Sequence, residues 1–194
     1  MSAVPQIEAF QSLPERAEPT MQTSTLMADA RDVLLQGLSL LFDLDDGGYS
    51  RIVGTPFNAS IGQHYRHVIE HFQSLTRGLQ SGEINYDARD RNIRLQSDVT
   101  YGSIATCDVL RILKRYTDET LAHGCKVINS VGYSSSQPST FDSNVSRELA
   151  YCAGHAIHHY AIIRLICHQI GGIVPAEFGF APSTVKHMSS LAAA

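Results

Sequence analysis

Read for hydrophobic and polar positions alone, the chain divides into periodic segments separated by polar ones. Residues 1–20 contain Pro5, Pro14 and Pro19 and no sustained apolar repeat, which predicts a tail or surface arm. Over residues 22–44, Met27, Ala30, Leu34, Leu38 and Leu41 recur at spacings of three and four, the interval that lines one face of a helix. Asp45, Asp46, Gly47 and Gly48 end that pattern. A second helix is expected over residues 58–79, with Asn58 and Ser60 as candidate caps and Ile61, Tyr65, Val68, Phe72, Leu75 and Leu79 as its buried stripe. Residues 81–98 are polar and read as a long connection. Ser103 precedes a third helix running to about His123, carrying Leu110, Leu113, Thr117 and Leu121 and stopped by Gly124. The β-branched Val127, Ile128 and Val131, followed by a Ser-rich run, suit either a short strand pair or a surface loop, and the polar character of the run favours the loop. Residues 145–170 form the fourth and most apolar helix, ended by Gly171 and Gly172. A short helix is expected to start near Ser183. This is an all-α pattern: a four-helix bundle with long connections, residues 1–20 lying outside a single domain over 21–194.

Composition narrows the class. In 194 residues, 43% hydrophobic content with 18% charged residues is enough for one core. The net charge is −4 and the 15 Lys and Arg are scattered, so a nucleic-acid partner is not expected. No apolar run approaches the ~20 residues that cross a bilayer, and the N-terminus does not run from basic to apolar; a soluble, cytoplasmic protein without a membrane partner is expected. Cys107, Cys125, Cys152 and Cys167 form no C-x-x-C pair, which speaks against a thiolate metal site and for reduced thiols.

Chemistry enters with histidine. Six of the nine histidines fall in two windows, His64, His67 and His71 in the second helix and His155, His158 and His159 in the fourth. Residues three and four apart share a helix face, so the first three flank the apolar stripe at the edge of the core. His155 and His159, at i,i+4, have the spacing at which two imidazoles on one helix converge on one ion. An isolated pair of this kind is more simply a hydrogen-bonded polar pair. A third imidazole from another helix shifts the balance, because several imidazoles buried together are costly unless they share protons or a cation. Ala156, Ile157 and His158 stand between the pair, so the glutamate of the H-E-x-x-H peptidases is missing. Glu70 and Glu148 are too few for a carboxylate-bridged di-iron centre. The expectation is one divalent ion, zinc, nickel or iron, with coordination positions left open for water or substrate. Glu70, Glu148, Tyr151 and backbone carbonyls are candidate acceptors for the ligands' outer nitrogens. Cys152 reads as a core thiol rather than a nucleophile.

The run SIGQHYRHVIEHF, followed far downstream by HAIHHYAI, resembles the DinB-like superfamily, the damage-inducible and YfiT-like metal-binding helical bundles. The resemblance implies a metal held by His67, His155 and His159, with His64 the substitute for His67, a bound nickel or zinc, and a bundle that dimerises. It also implies thiol chemistry on a small-molecule substrate, as in bacillithiol or mycothiol transferases and a mycothiol-dependent maleylpyruvate isomerase. Tyr160 and Ala161 stand where the common pattern has arginine and glycine. Arg89 and Arg91 of YDARDR, and the EFGFAPST segment, are candidates to border the open face, the arginines holding a substrate carboxylate or a low-molecular-weight thiol cofactor. A thiol-dependent transferase or isomerase is the leading expectation. A metal-dependent hydrolase, or a non-catalytic metal-binding or interaction bundle, are the alternatives.

Overall fold

In a computed structural model the described residues are 23–192, apart from 55, 57 and 135. The arm expected over residues 1–20 lies outside them. Four long helices carry the architecture: α1 (Thr23–Phe42), α3 (Ile61–Ser81), α5 (Val99–Leu113) and α7 (Val145–Gln169). Short helices α2 (Asp46–Ser50), α4 (Ile93–Ser97) and α6 (Asp118–Ala122) sit in the connections, and α8 (Pro182–Ala192) is the last element among the described residues. Three strands, β1 (Glu83–Asn85), β2 (Gly124–Asn129) and β3 (Ser139–Asn144), form a small sheet in that order.

The long helices pack in the ring α1, α7, α3, α5, so the sequence neighbours α1 and α3 lie across a diagonal. Their apolar faces meet in one core that includes Leu34, Tyr65, Phe72, Leu75, Leu149, Tyr160 and Ile163. The most extensive helix pairing is that of α3 with α7, the two helices that carry the histidines.

Local chemistry sets the ends of α3. Ser60 accepts a hydrogen bond from the Gln63 amide while the Gln63 side chain accepts from the Ser60 amide, a capping box that satisfies two donors of the first turn. Asn58, the other candidate cap, instead sits at a φ of 45° ahead of it. At the far end Gly82, at a φ of 72°, closes the helix in the left-handed conformation. Gly62 permits a close approach: a Cβ there would lie 2.0 Å from the carbonyl oxygen of Gln96 at the end of α4. Gly62→Ala is therefore expected to push α4 away from α3 and to destabilise the fold by about 1–3 kcal/mol in denaturant titration.

Three expectations are corrected. The third helix is two helices: α5 starts earlier, capped by Asp98, and the chain breaks before Thr117, whose hydroxyl caps α6 by accepting from the Thr120 amide rather than joining a bundle stripe. Residues 81–98 hold β1 and α4 rather than one featureless connection. Residues 125–143 contain paired strands where a loop was favoured. β2 runs antiparallel to β3, with Val127 opposite Phe141, and parallel to β1, with Ile84 opposite Val127. Ile84 and Val127 are buried, and the Tyr86 amide extends the pairing by donating to the Ile128 carbonyl. The sheet thus leads the chain from β1 over the histidine face of the bundle.

Candidate metal centre

On α3, His64, His67 and His71 lie beside the buried Tyr65, Val68 and Phe72, on the flank turned to α7. On α7, His155 and His159 are one turn apart on the flank that returns the contact. His67, His155 and His159 each offer a ring nitrogen, and these three atoms lie within 4.8 Å of one another. All three rings are half-buried. Their centroids are 4.5 to 4.9 Å apart.

The Nε2 atoms of His67 and His155 are 2.9 Å apart. Two imidazole nitrogens at that distance must hold one hydrogen between them or share a cation, since two facing lone pairs repel. Ligands that each sit about 2.0–2.1 Å from a zinc ion can be this close, so the donor set fits a nitrogen-ligated divalent ion. Burial, more than any other cause, lowers the basicity of every ring in the cluster. His67 is pushed down to about 2, His159 and His71 to about 3 and His155 to about 4. At neutral pH these imidazoles are uncharged, the form in which they ligate metals.

The surroundings orient the rings. His71 Nδ1 is 2.7 Å from the carbonyl oxygen of His67; a carbonyl only accepts, so His71 carries its hydrogen on Nδ1. His71 also stacks on Tyr86, and His155 stacks on Tyr151. The hydroxyl of Tyr86 donates to Glu148 at 2.9 Å, and Ser143 and Arg147 donate to the same carboxylate. Arg89 hydrogen-bonds the Tyr86 carbonyl, and its Nε is 4.0 Å from the buried Glu70 carboxylate. Its positive charge adds to the depression of His67, His71 and His155.

A cavity of about 890 Å³ lies elsewhere, on the opposite edge of the bundle between α1 and α5. Met27, Leu35, Leu110 and Leu113 line it with no histidine among them, so it does not share the chemistry of the cluster.

Among solved structures, the DinB-like protein YjoA of Bacillus subtilis superposes with a TM-score of 0.59 at 13% identity, over 79% of this chain and 98% of that one. A DinB-like protein of Bacillus cereus superposes with a TM-score of 0.51 at 16% identity, over 79% and 96%. This chain has a DinB-like fold. No family model matches the sequence. One curated relative, FK506-binding protein 5 of Rhizopus delemar, is 37% identical over 105 residues, 54% of this chain. The chain spans 27% of that relative's length.

Within the DinB-like fold, the residues picked out by sequence are placed unevenly. His67, His155 and His159 come together, and His158, next to His159, is exposed. Arg89 is half-buried beside the cluster, whereas Arg91 is exposed on a left-handed turn with a φ of 49°. The segment 177–184 is fastened to the Tyr160 side of α7: Phe178 stacks on Tyr160 at 4.9 Å, and Arg164 donates to the Ala176 carbonyl. Cys152 is buried, and burial pushes its thiol up to about 12, which makes it a core thiol. Of the candidate acceptors for the rings, the two glutamates are engaged elsewhere, Glu148 as above and Glu70 by the Asn92 amide at 2.7 Å. His64, expected as the substitute for His67, instead has its Nδ1 2.9 Å from Nδ1 of His159, a pairing that sequence reasoning missed. Its place three residues before His67 marks it as a neighbour of the cluster, but nothing in the spacing indicates which ring it meets.

Proposed function

We propose that this chain is a metal-dependent enzyme that holds one divalent transition ion between His67, His155 and His159 and acts on a small molecule. The observation that carries the reading is the convergence of three uncharged imidazole nitrogens, from two helices, on one point at the edge of the core. A zinc, nickel or iron ion there supplies Lewis acidity and lowers the pKa of a thiol or water in its open positions.

The chain's own residues set the conditions for that chemistry. Tyr151 stacks on His155 and Tyr86 on His71, which lays aromatic surface against the cluster, and the charge of Arg89 reaches His67, His71 and His155. An electrophile that carries a carboxylate suits this arrangement, the guanidinium orienting it and the aromatic walls reducing access of water. Thiol transfer or thiol-dependent isomerisation is the first reading, with a low-molecular-weight thiol as co-substrate; hydrolysis uses the same residues with water in place of the thiol. Arg91 belongs to the proposal only as an outer positive charge. A homodimer and a cytoplasmic location complete it. No helix among the described residues is long and apolar enough to cross a membrane. A second, non-catalytic reading, a bundle appended to a binding protein, is favoured by one observation: the matched relative is a much longer protein named for FK506 binding.

The test is elemental analysis of untagged protein, purified without added metal, beside a His67→Ala, His155→Ala double variant. About one equivalent of transition metal in the wild type and none in the variant is the expected result. A thiol-plus-electrophile screen on the loaded protein then separates transfer from hydrolysis, with Arg89→Met raising KM for carboxylate substrates. A wild type that neither carries a metal nor gains thermal stability on addition of one would leave the histidines a hydrogen-bond network.

A further inference from the structure

His64 and His159 meet through like atoms, Nδ1 to Nδ1 at 2.9 Å, with their rings 5.2 Å apart. A neutral imidazole carries one hydrogen, so only one of these two nitrogens is the donor. If the donor is His64, then His159 carries its hydrogen on Nε2 and has no lone pair there to give a metal. If the donor is His159, its Nε2 is free to ligate, and His64 must carry its own hydrogen on Nε2. The Nε2 of His64 is buried and has no hydrogen-bond partner. A buried N–H without an acceptor is costly, and each such atom calls for a ligand or an ordered water to satisfy it.

We infer that His64 is a positioning residue that holds His159 in its metal-ligating tautomer, and that its buried, unpartnered Nε2–H is the donor for one oxygen of a small carboxylate bound beside the three imidazoles. The inference rests on the metal reading above and adds to it a residue that recognises the carboxylate and sets the tautomer of a ligand. Arg89, whose charge reaches His67, His71 and His155, adds a positive field over the ligand cluster.

The test uses the full chain loaded with cobalt(II), whose visible spectrum reports both the ligand set and the entry of an anion. Acetate is titrated into the wild type, His64→Leu and His64→Gln. Gln can accept from the His159 Nδ1–H and donate to acetate, so it should restore what Leu removes. Acetate affinity is expected to fall at least about tenfold in His64→Leu and to recover in His64→Gln. Loss of cobalt from the Leu variant but not from the Gln variant also supports the positioning role. Unchanged acetate affinity in His64→Leu with cobalt retained overturns the inference and leaves the metal reading standing; loss from both variants overturns it as well. A wild type that takes up no cobalt removes the metal reading instead. Independently of any variant, nitrogen-15 spectra of the zinc-loaded wild type should show His159 protonated on Nδ1 and His64 on Nε2. The reverse pair of tautomers overturns the inference.

Discussion

His155→Ala and His159→Ala are each expected to reduce bound metal from about one equivalent to less than about a tenth, and His158→Ala to keep most of it. The contrast follows from the face of α7 that each residue occupies. His155 and His159 are one turn apart and bring ring nitrogens within 4.8 Å of that of His67. His158 sits between them in sequence, is exposed, and stands 5.3 Å from the His159 ring in an edge arrangement. Removing one of three neutral ligands leaves two, too few to hold a divalent ion against water and buffer. Removing His158 takes away only a neighbour whose positive form disfavours charge on His155 and His159. The measurement is metal content after gel filtration. Equal loss from all three variants would show that the ligating face of α7 is not the one described.

The metal-free protein is expected to lose stability as pH falls from about 6.5 towards 4. In the unfolded chain histidine titrates near 6.5. In the folded chain burial holds His155 down to about 4, His71 and His159 to about 3 and His67 to about 2. Between these limits the unfolded chain takes up protons that the folded chain refuses. The free energy of unfolding therefore rises with pH through this window and falls as acid is added. Stability from this source is complete above about 6.5 and diminishes below it, with up to four protons taken up on unfolding. A bound metal acts in the same direction, since protons compete with it for the same nitrogens. The check is the thermal midpoint of metal-free protein at pH 7.5, 6 and 5, with and without one equivalent of zinc. A midpoint flat across this range would mean that the rings are not held neutral, and burial would not be their dominant environment.

Much of the bundle was legible because helix periodicity is local. The stripe of Ile61, Tyr65, Val68, Phe72 and Leu75 needs only the 3.6-residue turn to be recognised, and each of these side chains is buried. Thr117 shows where that rule fails. It continues a stripe by spacing, yet its hydroxyl makes a better cap, and the chain turns there. The small sheet was harder to see. β3, STFDSN, is exposed along almost its whole length and carries no hydrophobic alternation; it is a strand because β2 pairs with it, a tertiary event that leaves no period in the sequence.

The candidate site divides in the same way. By itself the sequence determined that two helices each present a histidine-rich flank, because i,i+3 and i,i+4 spacing follows from helix geometry alone. It determined that His155 and His159 share a face, and that the glutamate of an H-E-x-x-H motif is missing between them. Only the tertiary structure decided that α3 packs directly against α7, since the ring order of the helices depends on how all four apolar faces close one core. That packing also decided which α3 imidazole reaches the α7 pair. His64, His67 and His71 are equivalent by spacing, but the rotation of α3 is set by burial of Tyr65, Val68 and Phe72. With that face inward, His67 meets His155, His64 meets His159, and His71 turns back to the His67 carbonyl.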